Sequence, residues 1–132
     1  MKIGEAARRS GLSQKMLRYY ESIGLVKPRG RGDNGYRDYS EVDLQRLTFI
    51  RRARELGFPL ADVGRLLALW DDTGRSSAEV HTLASAQLQA LDERIAQLSA
   101  LRASLAELIA ACHADRRSEC AILGRLGAPE PL

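Results

Sequence analysis

One stretch constrains this chain more than any other. From Ser77 to Cys112, steps of alternating 4 and 3 pick out Ser77, His81, Ala84, Leu88, Leu91, Ile95, Leu98, Arg102, Leu105, Ile109 and Cys112. This is a sustained heptad seam with Arg102 as its charged interruption, and it predicts one long helix. At 1.5 Å per residue such a helix is roughly 50 Å long. That is too long to bury its apolar stripe within its own small domain, so a partner helix is required, most simply the same helix of a second copy. If the two run antiparallel, residue 77 of one chain lies beside residue 112 of the other. The expectation is a dimer rod with a thiol site at each end.

Composition narrows what surrounds the rod. The 132 residues suffice for one compact domain plus an extended element, and 5% aromatic content predicts a mostly aliphatic core. No apolar run is long enough for a transmembrane span. The opening MKIGEAARRSGLSQ has no apolar signal region, so a cytoplasmic chain with reduced cysteines is expected. Charge is unevenly spread. Residues 1–57 carry 13 Lys/Arg against 7 Asp/Glu, while residues 58–132 carry 7 against 10. The basic half suits a polyanion, although a solvated basic face would look the same.

The N-terminal pattern gives that charge a form. A helix is predicted over Ile3–Arg9, with Ile3, Ala6 and Ala7 inward. After the Ser10-Gly11-Leu12 turn, Ser13 caps a second helix over Gln14–Ser22, ended by Gly24. Two short helices joined by a Gly-containing turn are the helix-turn-helix pattern, whose second helix enters the major groove. Lys15, Arg18, Tyr19 and Ser22 share one face of that helix, and Met16, Leu17 and Tyr20 share the other. An ordinary amphipathic helix has the same pattern.

The next segment favours nucleic acid. Leu25-Val26 and Tyr36–Tyr39 are strand candidates about a turn containing Asn34-Gly35, a strong hairpin signal. A hairpin carrying Lys27, Arg29, Arg31 and Arg37 makes a wing able to hold phosphates. Tyr36 fits either against a sugar-phosphate backbone or over the small core. Ser40 and Asp43 open a further helix as a capping box, with Val42, Leu44, Leu47, Ile50 and Ala53 inward and Arg46, Arg51, Arg52 and Arg54 outward. Gly57 ends it, and another helix follows over Leu60–Trp70. Residues 71–76 form a linker in which Ser76 or Ser77 caps the long helix. A polar loop, a short apolar turn over 121–126 and a Gly/Pro tail complete the chain.

Cys112 and Cys120, the only cysteines, flank that polar loop. Seven intervening residues match neither a zinc knuckle nor an iron–sulfur ligand set. Two thiolates alone suit a soft monovalent ion in linear coordination. Such a site carries a net negative charge, so backbone N–H groups or a short helix N-terminus near Cys120 are expected to compensate it. A Cys112–Cys120 disulfide is disfavoured in a reducing compartment.

IGEAARRSGLSQKMLRYYESIGLVKP, then NGYRDYS, then RRARELGFPLADVGRLL and the long helix together resemble the MerR family of dimeric transcriptional regulators over nearly the full length. The resemblance implies a mainly α fold: a winged helix-turn-helix DNA-binding domain (1–70), a linker (71–76), a dimerisation helix in an antiparallel coiled coil (77–111), and a short C-terminal metal-binding loop with tail (112–132). It implies DNA contacts from Lys15, Arg18, Tyr19, Arg31, Tyr36, Arg37 and Arg54. The loop looks like that of the copper-responsive, CueR-like branch, which implies Cys112 and Cys120 as ligands of Cu(I), and also of Ag(I) or Au(I).

In relatives that take divalent ions, the position of Ser77 is a cysteine reaching the partner's loop. Ser77 therefore implies no third thiolate, and His81 implies a neighbouring structural role. His113 is expected exposed on the outside of the turn. Unlike many copper-type relatives, Arg125–Leu132 adds no Cys or His. The implied action is a cytoplasmic homodimeric activator that distorts promoter DNA for RNA polymerase and controls copper efflux genes. The rivals are a same-fold sensor of a divalent metal, an organic cation or thiol-reactive stress, a thiol oxidoreductase, and a bare coiled-coil adaptor. The oxidoreductase would need a C-x-x-C pair, and the adaptor would not need a basic winged half.

Overall fold

The computed structural model describes residues 1–27, 30–31, 37–114, 118 and 120–130, with the side chains of 30, 31 and 37 outside that description. The element order is α1 (Ile3–Ser10), α2 (Gln14–Ser22), β1 (Gly30–Arg31), β2 (Arg37–Asp38), α3 (Glu41–Glu55), α4 (Leu60–Asp71), α5 (Ser77–Ala111) and α6 (Ala121–Leu126). The fold is mainly α, as expected. Among the described residues its strands amount to a two-residue antiparallel ladder pairing Gly30 with Asp38 and Arg31 with Arg37. The first strand thus lies beyond Leu25-Val26, where it was expected. Those two residues turn off α2 instead: Leu25 N–H donates to the Tyr20 carbonyl at 2.9 Å, and Val26 drops into the core. The Asn34-Gly35 turn and Tyr36 lie outside the described residues.

The chain forms two compact units, residues 1–87 and 88–132. The first is built on a core of Ala6, Leu17, Tyr20, Val26, Tyr39, Leu47, Ile50 and Val63, with Phe58 and Leu67 beside them. The core is mostly aliphatic, as expected, with Tyr20, Tyr39 and Phe58 as its aromatic members. Tyr20 and Tyr39 are the largest fully buried side chains, because scarce aromatics concentrate where a small core gains most area per residue. Tyr39 keeps its polar end satisfied by donating from its hydroxyl to Glu21 Oε2 at 3.2 Å.

Helix ends follow local chemistry. Ser13 Oγ accepts from Met16 N–H at 3.1 Å, and Ser40 and Asp43 close a full capping box at 3.1 and 2.8 Å. That box changes the inner face of α3. Asp43 is buried while Val42 is 55% exposed, since the Asp43 side chain must fold back onto the Ser40 N–H and its neighbour is rotated outward. Ser76, not Ser77, caps α5: its hydroxyl accepts from Ala78 N–H at 3.1 Å. Phe49 and Trp70 stack at 4.8 Å, lining an apolar cleft of about 690 Å³ bounded by Leu44, Leu56, Val80 and Ala84.

In the second unit, α5 continues as an uninterrupted helix and α6 follows the loop. Leu88, Ile95, Leu98, Leu105 and Ile109 of the seam are each more than half exposed in the single chain. Among the described residues no helix is long and apolar enough to cross a membrane.

Candidate nucleic-acid interface and thiol pair

The helix-turn-helix is held together at its turn. Gly11 adopts a left-handed φ of 79° and donates its N–H to the Ala7 carbonyl at 3.0 Å, closing α1. Buried Ser10 donates from its hydroxyl to the Ala7 carbonyl at 3.2 Å and accepts from Leu12 N–H at 3.3 Å. From this turn α2 packs Leu17 and Tyr20 inward, with Met16 half-buried, and presents Lys15, Arg18, Tyr19 and Ser22 outward, as the spacing predicts. Ser22 is less available than the others, because its hydroxyl donates back to the Tyr19 carbonyl at 2.6 Å. Among the described residues no ion pair engages Lys15 or Arg18.

Much of the remaining basic excess is used within the chain. Arg9 grips Glu41 with two bonds of 2.8 and 3.1 Å, tying α1 to α3. The pair holds the Glu41 carboxyl below its ordinary pKa and the Arg9 guanidinium above its own, chiefly through that hydrogen bond. Arg46 donates from Nη1 to both carboxylate oxygens of Asp71 at 2.8 and 2.9 Å, joining α3 to α4. Arg65 and Glu79 pair α4 with the first turn of α5. Arg54 donates to the Phe58 carbonyl at 2.7 Å across the α3–α4 turn while staying exposed. The side chains of Arg31 and Arg37 lie outside the described residues, as does Tyr36.

Two residues had no assigned role in the sequence reading. Arg51, expected outside, is only 30% exposed and donates from Nε to the Ser10 carbonyl at 2.7 Å. Gln87 is buried, and its Nε2 donates to the Leu56 carbonyl at 3.0 Å, fastening α5 to the end of α3. A signal for Gln87 was present: it continues the spacing of half-buried Val80 and Leu83, one face round from the heptad seam.

In the second unit the structure brings the two cysteines together. Cys112 and Cys120 are free thiols with Sγ atoms 3.9 Å apart. Ala114, in a left-handed conformation at φ 53°, turns the chain just past α5. Cys120 stands at the start of α6, where the backbone N–H groups of Leu123 and then Ile122, with the Cys112 thiol, hold its pKa below the ordinary thiol value. None of them closes a full capping bond to the side chain, so the N–H groups act as oriented dipoles. Two metal–sulfur bonds of about 2.3 Å span at most about 4.6 Å, so one ion fits between the thiols. Exposed His113 borders the same open cleft of about 460 Å³ as Cys120. Ser77 and His81 are exposed on α5, with His81 Nδ1 3.4 Å from Ser85 Oγ. Among the described residues no group of three or more His, Cys, Asp or Glu could hold a metal; Asp115 and Glu119 lie outside them.

Comparison with known proteins bears on both regions. Residues 1–70 match the MerR HTH family regulatory protein model, and residues 44–108 match the model for MerR, DNA binding. The chain belongs to the MerR family. It is 48% identical to the HTH-type transcriptional regulator HmrR of Rhizobium leguminosarum bv. viciae, covering 96% of this chain and 97% of the relative. It is 36% identical to the HTH-type transcriptional regulator CueR of Salmonella typhimurium, covering 96% and 91%. Among solved structures, the transcription regulator PbrR691 from Ralstonia metallidurans CH34 in complex with lead(II) superposes with a TM-score of 0.82 at 36% identity, covering 96% and 98%. The MerR family is one of transcription regulators, not of enzymes. Similarity to CueR and to PbrR691 is equal in identity, and HmrR is closer than either. Family membership therefore leaves the ion open, and the ligand set must argue it.

Proposed function

We propose that this MerR-family chain is a cytoplasmic, homodimeric, metal-responsive regulator that binds promoter DNA and senses a soft monovalent ion through Cys112 and Cys120. The observation that carries the reading is the thiol pair: two free sulfurs 3.9 Å apart, one of them acidified at the head of α6. Thiolate ligands favour soft ions, and metal must displace the thiol protons to bind. Acidifying Cys120 lowers that competition. Cys112 and Cys120 hold the ion, and the α6 N–H groups offset the surplus negative charge of a two-thiolate site. Ser77 supplies no thiolate, which argues against a three-sulfur site for a divalent ion. Cu(I) is the effector this reading favours, with Ag(I) or Au(I) sharing the same chemistry, and copper efflux genes are the targets.

On the DNA side, Lys15, Arg18 and Tyr19 of α2 enter the major groove, the wing with Arg31, Tyr36 and Arg37 follows the flanking backbone, and Arg54 lies near the edge. Residues 77–111 serve as the dimerisation helix, 71–76 as its linker and 112–132 as the sensing loop and tail. His81 stands close to the partner's thiol pair in an antiparallel dimer. For metal to act as a signal it must bind the activating conformation more tightly than the repressing one, and the deformation of promoter DNA presents that difference to RNA polymerase.

A second reading, a divalent-ion sensor, is favoured by the likeness to a regulator solved in complex with lead(II). A competition titration of the reduced, metal-free dimer with Cu(I) and Zn(II) separates the two. Tight Cu(I) at one ion per thiol pair, abolished by Cys112→Ser, with zinc weak until Ser77→Cys is introduced, is the expected result. Tight zinc binding by the unaltered chain supports the divalent reading. Binding of neither ion leaves an organic or thiol-reactive signal.

A further inference from the structure

Arg51 is a basic side chain whose placement departs from its sequence pattern. It sits on α3 in a run of arginines, and by composition it reads as one more phosphate contact. Its guanidinium is instead engaged at two ends. Nε donates to the carbonyl of Ser10, the last residue of α1, at 2.7 Å, and Nη1 pairs with Glu55 one turn along α3 at 2.7 Å. The Ser10 carbonyl is one of those a helix leaves unsatisfied at its C-terminus, where a cation is also favoured by the helix dipole. The glycine that follows is shaped by the same approach. A Cβ at Gly11 would lie 3.0 Å from Arg51 Cδ and 3.1 Å from Nε, so a side chain there would press on Arg51 in addition to straining the φ of 79°.

We propose that Arg51 is a positioning residue for DNA recognition: it latches the α1–α2 turn to α3 and so fixes the angle at which α2 is presented. The inference rests on α2 being the DNA-reading helix. Ser10 and Gly11 lie just upstream of the α2 cap, and Arg51 is 41 residues away in sequence. The latch therefore ties the one loop that sets the orientation of α2 to the longest helix of the first compact unit. Glu55 accepts from Nη1 while the Nε–H is directed at Ser10. A positioning role and a phosphate-contact role predict different salt dependences. A phosphate contact releases counterions and a latch does not.

The test uses the full-length dimer and a duplex selected by the unaltered protein from a random-sequence pool. Arg51→Met keeps the reach of the side chain and removes its donors. Arg51→Lys keeps the charge but replaces the fixed Nε–H by a mobile ammonium. Arg18→Ala serves as the direct-contact control. Arg51→Met is expected to weaken the selected duplex about tenfold while leaving the slope of log affinity against log salt, and the affinity for random duplex, unchanged. Arg51→Lys should lie between it and the unaltered protein. Arg18→Ala should lower the salt slope by about one unit.

Amide exchange at Leu12 and Ser13 should quicken in Arg51→Met while exchange in α4 stays constant. This reports the latch in a chain that remains folded; if Arg51→Met does not fold, the same readouts are taken on Arg51→Lys. A loss of about one unit of salt slope in Arg51→Met would make Arg51 a phosphate contact and overturn the proposal. Selected-duplex affinity within twofold of the unaltered chain would overturn it as well. An Arg18→Ala variant with unchanged affinity and slope would remove α2 as the reading helix and the latch with it, an outcome distinct from the other two.

Discussion

The two compact units of this chain solve the burial problem in opposite ways. Residues 1–87 enclose their own core, with Leu47, Ile50 and Val63 fully shielded and three arginine–carboxylate pairs tying α1 to α3, α3 to α4 and α4 to α5. Residues 88–132 leave Leu88, Ile95, Leu98, Leu101, Leu105 and Ile109 each more than half exposed. Apolar side chains in one unit are shielded by sequence-distant neighbours of the same chain. In the other they stand open to solvent among the described residues. A monomer rarely exposes so contiguous a patch without a partner for it. A MerR-family coiled coil would supply that partner in a second copy.

The same substitution made in each unit sharpens the contrast. Leu47→Ala is expected to cost about 2–5 kcal/mol in urea unfolding, by an amount independent of protein concentration. Leu98→Ala should destabilise only where the seam is covered, so its effect in equilibrium sedimentation and unfolding must vary with concentration. A concentration-independent loss at Leu98 would break the proposed division. Next in size is the capping box at the head of α3, where Ser40→Ala should remove about 1 kcal/mol in the same urea assay. Ala114→Gly should stabilise the second unit by up to about 1 kcal/mol, because glycine adopts the left-handed turn without strain; no gain in melting would argue against that turn.

The pH-dependent effects are the smallest. Cys120, with its pKa depressed, should develop ultraviolet thiolate absorbance at lower pH than a free cysteine, and Cys120→Ser should remove that early step. Glu41 works in the same direction. Its depressed pKa gives a contribution present above the ordinary carboxylate value and lost as pH falls through the depressed one. Glu41→Gln should lower stability slightly at neutral pH and leave it unchanged below the depressed pKa, so that the acid side of the profile flattens.

Much of the fold was legible because its signals are local. Ser13 and Gly24 bracket α2, Ser40 with Asp43 opens α3, and the heptad seam extends α5 to Ala111. The misreadings came from effects that local pattern does not carry. Val42 turned outward because its neighbour's carboxylate was committed to the cap, and the first strand moved to Gly30–Arg31 because Leu25 was held by the end of α2. The thiol pair was named from residue type, yet a spacing of eight does not specify a separation of 3.9 Å. Arg51 was hidden for a simpler reason: a run of arginines looks the same whether its members face solvent or brace a turn, and only the distant Ser10 carbonyl distinguishes them.

The exposed stripe of α5 also bears on abundance. If burial of that stripe is completed only by association, mass action links folded stability to the number of chains in the cell. The melting temperature should then climb with protein concentration. Below the association midpoint, the chain would present adhesive leucines to proteases and chaperones. A regulator built this way would be cleared when scarce and persist once its level supports pairing, so its copy number would act as a threshold before any signal is read.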